Sequence, residues 1–209
     1  MKDTILFGDC RETLSQIDEK VRMCVTSPPY YGLRNYGDES NQIGQEDTPE
    51  EYINNLVNIF RSVRNCLSDD GTLWVNIGDS YYNYRPGKGQ ALVQQTVATN
   101  KQDLPDKCAR RGNKLEGLKE KDLIGIPWML AFALRNDGWY LRQDIIWHKP
   151  NPMPESVRDR CTKSHEYIFL LSKNKYYYYD NESIKEPARD WGTRDRTKGK
   201  YHNEGTGLT

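Results

Sequence analysis

The chain has 209 residues, 30 basic and 30 acidic residues, and a mean hydropathy of −0.90. This length suits one domain, and the absence of an apolar run of about 18 residues and of a signal-peptide pattern argues against a membrane protein. The five cysteines are widely spaced and include no CxxC pair, which argues against a zinc site and a disulfide framework and favours a reducing cytoplasm.

The charges are distributed unevenly along the chain. Residues 1–84 include 7 basic and 14 acidic residues, whereas residues 85–209 include 23 basic and 16 acidic residues. A basic second half beside an acidic first half fits a protein that meets a polyanion with one face. Ordinary surface charge explains the same counts, so the asymmetry does not identify a partner by itself.

Short apolar runs predict strands in the first part of the chain. These runs are 4–7, 21–25 and 72–77. Between the first two, Leu14 and Ile17 share one face of a short helix that is predicted over 11–20.

A longer helix is predicted to begin at Thr48. Thr48 can cap the helix, Pro49 suits its first turn, and Glu51 completes a capping-box pattern. Apolar residues then recur at three- and four-residue spacing as far as Leu67, and a turn is predicted at 68–71.

The second half begins with a long polar segment. Residues 81–121 are predicted to be an insertion that is disordered or contacts DNA, since 85–121 includes 9 basic and 4 acidic residues and loops of such length are usually functional or disordered. A helix is then predicted over 123–135, beginning near Pro127. The strands predicted after it are 139–147, 166–171 and 175–179. Tyr176–Tyr179 would alternate between the two faces of the last strand, so sheet packing is expected, and base stacking is the alternative.

The most informative residues are Thr26-Ser27-Pro28-Pro29-Tyr30, which follow the apolar run 21–25. That run predicts a buried strand, and the two prolines, which lack a backbone donor and restrict the residue before them, end it in a stiff turn. The turn presents the Ser27 hydroxyl, carbonyl acceptors that no sheet neighbour claims, and the aromatic face of Tyr30. In open α/β sheets, ligands bind outside the carboxyl ends of the strands.

These groups suit the chemistry of an exocyclic amino group on a nucleobase. Its N–H donors need acceptors, which draw the nitrogen lone pair out of the ring, and a base that leaves the duplex needs a stacking partner. A Ser-Pro-Pro-Tyr loop offers both. A proline-stiffened loop with a surface tyrosine is the structural alternative.

The stretch from Thr26 to Gly37, TSPPYYGLRNYG, resembles the catalytic motif of the amino-group DNA methyltransferases. These enzymes transfer a methyl group from S-adenosylmethionine to N4 of cytosine or N6 of adenine. The resemblance implies an α/β fold with a Rossmann-like methyltransferase sheet, S-adenosylmethionine as cofactor, and double-stranded DNA with a flipped target base as partner.

The same resemblance implies that Ser27, Pro28, Pro29 and Tyr30 are catalytic. Tyr30 would stack on the base, and Ser27 and the Pro28 carbonyl would accept from its amino group, without a covalent enzyme intermediate. Tyr31, next in the motif, is expected to contact the substrate.

Asp9 and Asp79 follow predicted strands and are further candidates. In methyltransferases that resemble this chain, an acidic residue at the position of Asp9 lies near the adenine of the cofactor, although a plain turn explains Gly8-Asp9-Cys10 almost as well. Asp79 follows the strand predicted over 72–77, beside the catalytic loop, and is expected to bind substrate; a turn is again the alternative.

A third candidate segment is Asp144–Asn151. It is similar to a W-x-K-x-N/P stretch that lines the target-base pocket in the family, which implies that Trp147, Lys149 and Asn151 bind substrate. His148 is expected to be neutral and hydrogen-bonded, because methyl transfer to an amino nitrogen does not need a strong base. No metal is expected.

The order of motifs resembles a permuted class of the family, in which catalysis comes first, DNA recognition second and the glycine-rich cofactor loop last. The resemblance covers roughly residues 1–180, the catalytic part, and 181–209 is expected to be a loose tail or the start of the recognition region. The cofactor-loop half is absent, so the sheet is expected to be incomplete, with an exposed central edge. A longer natural protein or a second chain would supply that half.

These observations predict a cytoplasmic, site-specific DNA methyltransferase of restriction–modification or phage type. Ser27 at the first motif position resembles the cytosine-N4 enzymes, and adenine-N6 is the alternative. An RNA or protein-glutamine methyltransferase is disfavoured, because its motif usually begins with Asn. A non-catalytic DNA-binding remnant is the remaining alternative.

Overall fold

The computed structural model describes residues 3–33, 41–82, 115 and 117–187. The strands in this part of the chain are β1 (Val21–Thr26), β2 (Leu67–Ile77), β3 (Tyr140–His148) and β4 (His165–Ser172). The helices are α1 (Cys10–Thr13), which continues as a 3-10 turn over Leu14–Gln16, α2 (Pro49–Cys66) and α3 (Ile126–Asn136). The predicted positions of these strands and helices are confirmed, with α1 shorter than expected.

The four strands form one mixed sheet in the order β1-β2-β4-β3. β1 and β2 are parallel, whereas β4 runs antiparallel to both β2 and β3. The carboxyl ends of β1 and β2 therefore lie beside the amino end of β4, and residues from all three can meet there.

Helices α2 and α3 pack against one face of the sheet. α2 begins as its sequence predicts, with the Thr48 hydroxyl accepting from the Glu51 backbone N–H at 3.2 Å. Its apolar stripe and that of α3 form one core with alternate residues of the strands. The fully buried residues of this core include Tyr52, Leu56, Leu73, Val75, Ile77, Leu130, Leu134 and Leu171. Burial of this continuous surface is the main source of stability for the fold.

The opposite face of the sheet and strand β1 expose several apolar side chains, although Leu170 on that face is buried. Met23, Val25 and Trp147, which point away from the helices, are 58%, 69% and 51% exposed. Residues 21–25 do form a strand, but the prediction that this strand is buried is wrong. Among the described strands, β1 lies at the edge of the sheet and pairs with β2.

Three local predictions are also wrong. Residues 4–7 do not form a strand, and Ile5 and Phe7 are 76% and 88% exposed. In the described part of the chain, residues 4–7 are not part of the sheet, so they have no neighbouring strand. Residues 68–71 are a bulge within β2 instead of a turn, because Val21 pairs with Leu67 and Met23 with Thr72.

The tyrosine-rich segment is the third of these errors. Residues 175–179 do not form a strand, and Tyr176, Tyr178 and Tyr179 are exposed, so the expected sheet packing is wrong for them. The backbone N–H of Tyr178 donates to the Asp70 carbonyl in the bulge of β2, at 3.1 Å. This hydrogen bond connects the segment to the bulge of β2 without making it a strand of the sheet.

A short ladder joins the chain before and after the polar insertion. Tyr82 N–H donates to the Asp122 carbonyl and Lys121 N–H to the Tyr82 carbonyl, both at 2.8 Å, and Ile124 N–H donates to Ser80 at 3.0 Å. Most of the insertion predicted over 81–121 lies outside the described residues.

The chain divides into two compact units, Met1–Tyr178 and Tyr179–Thr209. In the second unit, the Asp180 side chain accepts from the backbone N–H groups of Glu182 and Ser183, both at 3.1 Å. The remainder of the predicted tail lies outside the described residues. Within the described ranges, no helix is both long and apolar enough to cross a membrane.

Candidate active site

The Ser-Pro-Pro-Tyr loop leaves β1 at its carboxyl end and forms one wall of a cleft. The cleft has a volume of about 370 Å³ and is lined by Ser27, Pro28, Pro29, Tyr30, Leu33, Lys149 and Glu166. The predicted catalytic residues and Lys149 are therefore brought together, although more than 100 residues separate them in the sequence. Sequence analysis did not identify Leu33 or Glu166.

Helix α2 and the segment that precedes it hold the backbone of the loop in place. The Tyr52 hydroxyl, on α2, donates to the Pro29 carbonyl at 2.7 Å, and burial raises the pKa of Tyr52. Gly32 N–H donates to the Gly44 carbonyl at 2.8 Å. Gly44 has a φ of +87°, and a Cβ atom there would lie 2.9 Å from the Tyr30 carbonyl oxygen. Only glycine meets both conditions without strain.

The Tyr30 ring is fixed against the end of β2. A Cβ atom on Gly78 would lie 2.5 Å from Cε2 and 2.8 Å from Cδ2 of the ring, so the ring rests on the bare backbone of Gly78. The Tyr30 hydroxyl donates to Glu166 Oε2 at 3.0 Å. Burial raises the pKa of the Tyr30 phenol, a hydrogen bond with the Ser27 side chain lowers it in part, and the negative charge of Glu166 raises it further, so the hydroxyl stays protonated and donates.

Glu166 lies at the amino end of β4 and receives three donors. In addition to Tyr30, Asn76 Nδ2 donates to Oε2 at 3.1 Å, and the Lys149 ammonium forms an ion pair with Oε1. Burial alone would raise the pKa of Glu166, but the hydrogen bonds from these partners outweigh it and hold the pKa below its ordinary value. The ion pair leaves the cleft without a net charge from these two residues.

Lys149 is positioned by the backbone as well as by its ion pair. It follows β3 directly, and its N–H donates to the Ser164 carbonyl at 2.7 Å, which continues the pairing of β3 with β4 for one more residue. The predicted position of Lys149 beside the catalytic loop is explained by this register.

Asp79 does not line the cleft. Its Oδ1 accepts from the backbone N–H groups of Gly125 and Ile126, both at 3.0 Å, and from Ser80 N–H at 2.9 Å. Gly125 precedes α3 and has no side chain to cap it. Asp79 therefore caps α3 from a distant part of the sequence, a role that sequence analysis did not predict.

The other predicted substrate-binding residues lie around the cleft but do not line it. The Tyr31 ring packs on Tyr52, with ring centroids 5.5 Å apart, and its hydroxyl donates to the Asp47 carbonyl at 3.3 Å. Trp147 is paired with Glu166 across β3 and β4 and is half exposed. Asn151 is exposed in the loop after β3.

Asp9, the predicted cofactor contact, caps α1. Its Oδ1 accepts from the Arg11 backbone N–H at 2.8 Å, and the Arg11 guanidinium pairs with both carboxylate oxygens. Hydrogen bonding from Arg11 lowers the pKa of Asp9, so the group is a carboxylate at neutral pH. For the described residues, no group of His, Cys, Asp and Glu side chains could hold a metal ion.

Comparison with protein families gives a match over residues 21–206, to the family of N6/N4 enzymes described as DNA methylase. The chain is 58% identical over 187 residues to the type II methyltransferase M.SmaI of Serratia marcescens, a match that covers 89% of this chain and 61% of that protein. It is 50% identical over 194 residues to M.Cfr9I of Citrobacter freundii, covering 92% and 62%. The chain thus spans about three fifths of the length of these curated relatives.

Solved structures with a similar fold include the PvuII DNA methyltransferase, described as cytosine-N4-specific, with a TM-score of 0.54 and 16% identity. That match covers 86% of this chain and 53% of the other. A DNA modification methylase of Thermus thermophilus, complexed with S-adenosyl-L-methionine, gives a TM-score of 0.52 and 22% identity, covering 84% and 55%. At these identities, the similarity concerns the fold.

Proposed function

The chain belongs to the DNA methylase family, and on this premise we propose that it is the catalytic part of a methyltransferase that modifies an exocyclic amino group in DNA. The observation that supports the proposal most directly is the cleft, in which the Ser27–Tyr30 loop faces Lys149 and Glu166. The cofactor is S-adenosylmethionine, and the substrate is double-stranded DNA with the target base flipped out.

Ser27 and Pro28 are the acceptors that we assign to the amino group. The Pro29 carbonyl is already engaged by Tyr52. We therefore assign the amino group to the Pro28 carbonyl and to the Ser27 hydroxyl, which also hydrogen-bonds the Tyr30 side chain. Hydrogen bonds to these two oxygens would orient the amino N–H groups and draw the nitrogen lone pair out of the ring. Positioning of this kind is the main contribution that a site without a covalent intermediate can make.

Tyr30 is the stacking partner in this proposal. Its ring lies against Gly78 and also lines the cleft, and we assign the surface toward the cleft to a flipped base. The ring is fixed before the base arrives, so little conformational entropy is lost when the base stacks on it.

The residues of the cleft fit a cationic methyl donor. Lys149 is neutralised by Glu166, and the other groups are acceptors and an aromatic ring, so no unpaired positive charge of the lining residues opposes a sulfonium. When bound, S-adenosylmethionine supplies an electrophilic methyl group. Asp9 remains the candidate for the cofactor's adenine amino group, and it would have to accept that donor while still paired with Arg11.

We further propose that the target is N4 of cytosine, because the first motif position is Ser27 instead of Asp or Asn. The test is nucleoside mass spectrometry of DNA that the intact natural protein has methylated in vitro. N4-methylcytosine is the expected product, and N6-methyladenine alone would assign the chain to the alternative specificity. An intact protein that binds DNA but no labelled S-adenosylmethionine would instead be a DNA-binding remnant.

Trp147, Lys149 and Asn151 are proposed to contact the target base or its flanking nucleotides. Lys149 lines the cleft, Trp147 is paired with the cleft residue Glu166, and Asn151 follows Lys149 by two residues. Tyr31 and Asp79 also remain candidates, and their observed contacts suggest that they act by supporting the loop and α3. The 58% identity to a type II methyltransferase supports a role beside a restriction enzyme that recognises the same sequence.

We also propose that a further segment of the natural protein, or a second chain, completes the sheet. Strand β1 lies at the edge of the described sheet, and on the face opposite the helices its Met23 and Val25 side chains are more than half exposed. The β1–β2 pair is parallel, and parallel strands are normally covered on both faces. The mass of the natural gene product tests this proposal, and a stable, cofactor-binding monomer of 209 residues would contradict it.

A further inference from the structure

Glu166 lines the cleft and accepts from three side-chain donors, and no motif identified it. Its two carboxylate oxygens serve different partners. Oε2 accepts from the Tyr30 hydroxyl at 3.0 Å and from Asn76 Nδ2 at 3.1 Å, whereas Oε1 pairs with the Lys149 ammonium. These partners come from three places: the loop after β1, strand β2, and the end of β3.

The position of β4 in the sheet explains how one side chain reaches all three. β4 lies between β2 and β3, so a residue at its amino end has the carboxyl ends of both neighbours beside it. Glu166 is paired with Trp147 on β3, and Asn76 is paired with Ile168, two residues further along β4 on the same face. The side chains of Asn76 and Glu166 therefore point to the same side of the sheet.

Asn76 is held in one orientation by this arrangement. Its Nδ2 group donates to Glu166, and its buried Oδ1 has no hydrogen-bond partner within the described residues. A rotation of the amide by 180° would place Oδ1 against the carboxylate. The orientation in which Asn76 donates to Glu166 therefore leaves the Asn76 amide oxygen without a hydrogen bond among the described residues.

We propose that Glu166 is a positioning residue of the methyl-transfer site, holding the Tyr30 hydroxyl with one carboxylate oxygen and the Lys149 ammonium with the other. The inference rests on the proposed function. Glu166 fixes the distance across the cleft between the ring that stacks on the base and the cation on the opposite wall. It does not remove a proton from the amino group, because both of its oxygens are engaged by donors.

The test is a double-mutant cycle in the intact natural protein with Glu166→Gln and Tyr30→Phe. Glutamine keeps the size of the side chain, but its NH₂ group would face one of the donors that Glu166 accepts. The neutral amide also leaves the Lys149 ammonium without a negatively charged partner. Phenylalanine keeps the stacking ring and removes the hydroxyl that Glu166 holds. Asp137→Asn is the matched control: Asp137 accepts from Arg61 Nε at 2.8 Å at the end of α3, away from the cleft.

We expect Glu166→Gln to lower kcat by about 10- to 100-fold, with KM for S-adenosylmethionine and DNA changed by less than about threefold. In the Tyr30→Phe background, the fold-decrease in kcat caused by Glu166→Gln should be at least about threefold smaller, because the hydrogen bond to the Tyr30 hydroxyl is already lost. Glu166→Asp, which retains the charge, should recover part of kcat. Asp137→Asn should change kcat by less than about twofold.

A second measurement does not depend on activity. In protein labelled at the tyrosine ζ carbon, the Tyr30 resonance is assigned by its loss in Tyr30→Phe, and it should shift in Glu166→Gln and stay in place in Asp137→Asn. An unshifted resonance, strictly additive effects on kcat, or a Glu166→Gln protein that does not fold would each overturn the positioning role. An inactive wild type would refute the proposed function itself and the inference with it, whereas a fully active Glu166→Gln variant would refute the inference alone.

Discussion

Gly78 determines where the Tyr30 ring can lie. The ring occupies the space that a Cβ atom on residue 78 would need, and ring carbons of a half-buried tyrosine cannot yield as the end of a flexible side chain can. Glycine at this position is therefore required by the site and not by the strand, since Gly78 has no positive φ.

We expect Gly78→Ala to lower methylation by about 100-fold or more, because it displaces the ring by about 1 Å. The fold should be retained, because the ring can move into the cleft instead of breaking the sheet. Steady-state kinetics together with thermal unfolding measure the two effects. Gly117→Ala is the control, because its Cβ would meet nothing within 4 Å, although its φ of +84° makes a small loss of stability expected there.

The first and last residues of the Ser27–Tyr30 loop allow a second prediction. Ser27→Ala removes a proposed acceptor of the amino group, and Tyr30→Ala removes the stacking surface, so each should abolish detectable methylation. Binding of the DNA duplex, which depends mainly on phosphate contacts, should change by less than about threefold. Methyl incorporation and a gel-shift or anisotropy titration on the same preparations measure both quantities. Full activity of either variant would contradict the role assigned to that residue.

Helix α3 depends on a cap from outside its own sequence. Asp79 accepts from the first backbone N–H groups of α3, and Gly125 provides no substitute. Asp79→Ala should lower the free energy of unfolding by about 1–2 kcal/mol, which thermal or denaturant unfolding can measure.

Asp79→Asn separates this structural role from a direct role in substrate binding. The amide retains an oxygen acceptor, so most of the stability should return. Methylation that returns with it would assign Asp79 to capping, whereas a folded but inactive Asp79→Asn protein would favour contact with substrate. Asp18→Ala, which removes an exposed carboxylate, should leave both stability and activity unchanged.

Elements whose signal is local were predictable from the sequence. α2 carries its own cap, proline and apolar stripe, and β1 is ended by two prolines, so both were placed within one or two residues. Elements that depend on a distant partner were not: 4–7 and 175–179 are apolar or aromatic enough for strands, yet a strand needs a neighbour. The bulge at 68–71 looked like a turn because Asp-Asp-Gly suits both.

The site was predictable to a similar degree. Ser27, Tyr30 and Lys149 belong to recognisable motifs, and the structure brings them into one cleft. Glu166 follows Ser-His at the start of an apolar strand, where nothing in the local pattern separates a cleft residue from an exposed strand end. Its contacts are visible only when the order β1-β2-β4-β3 is known. The use of Asp79 as a cap was hidden for the same reason.

At the scale of the whole molecule, the two faces of the described sheet differ. Helices cover one side of the sheet, while the other side and the β1 edge expose apolar residues. An apolar edge strand is a template for association with other chains. The 209-residue chain by itself is therefore expected to self-associate at low concentration, which light scattering or analytical ultracentrifugation can detect.

The substitution Val25→Lys should have different effects in the isolated 209-residue chain and in the intact natural protein. In the isolated chain, where Val25 is 69% exposed, a lysine should reduce self-association. In the intact natural protein, the proposed covering segment would bury the lysine, and stability should fall by at least about 1 kcal/mol. Tyr176→Lys, at a position that is 79% exposed in a loop, should be neutral in both. If Val25→Lys left the free energy of unfolding of the intact protein unchanged, this would argue that nothing covers β1.

The ladder between Ser80–Tyr82 and Lys121–Ile124 has a consequence for protein engineering. It fixes the point where the chain leaves the catalytic sheet and the point where it returns, and its backbone bonds do not depend on which side chains lie between them. Lengthening or replacing the intervening segment costs little in loop-closure entropy. These two positions are therefore the natural junctions for exchanging that segment with one from a relative, so that chimeras keep the chemistry of one parent while the sequence between the junctions varies.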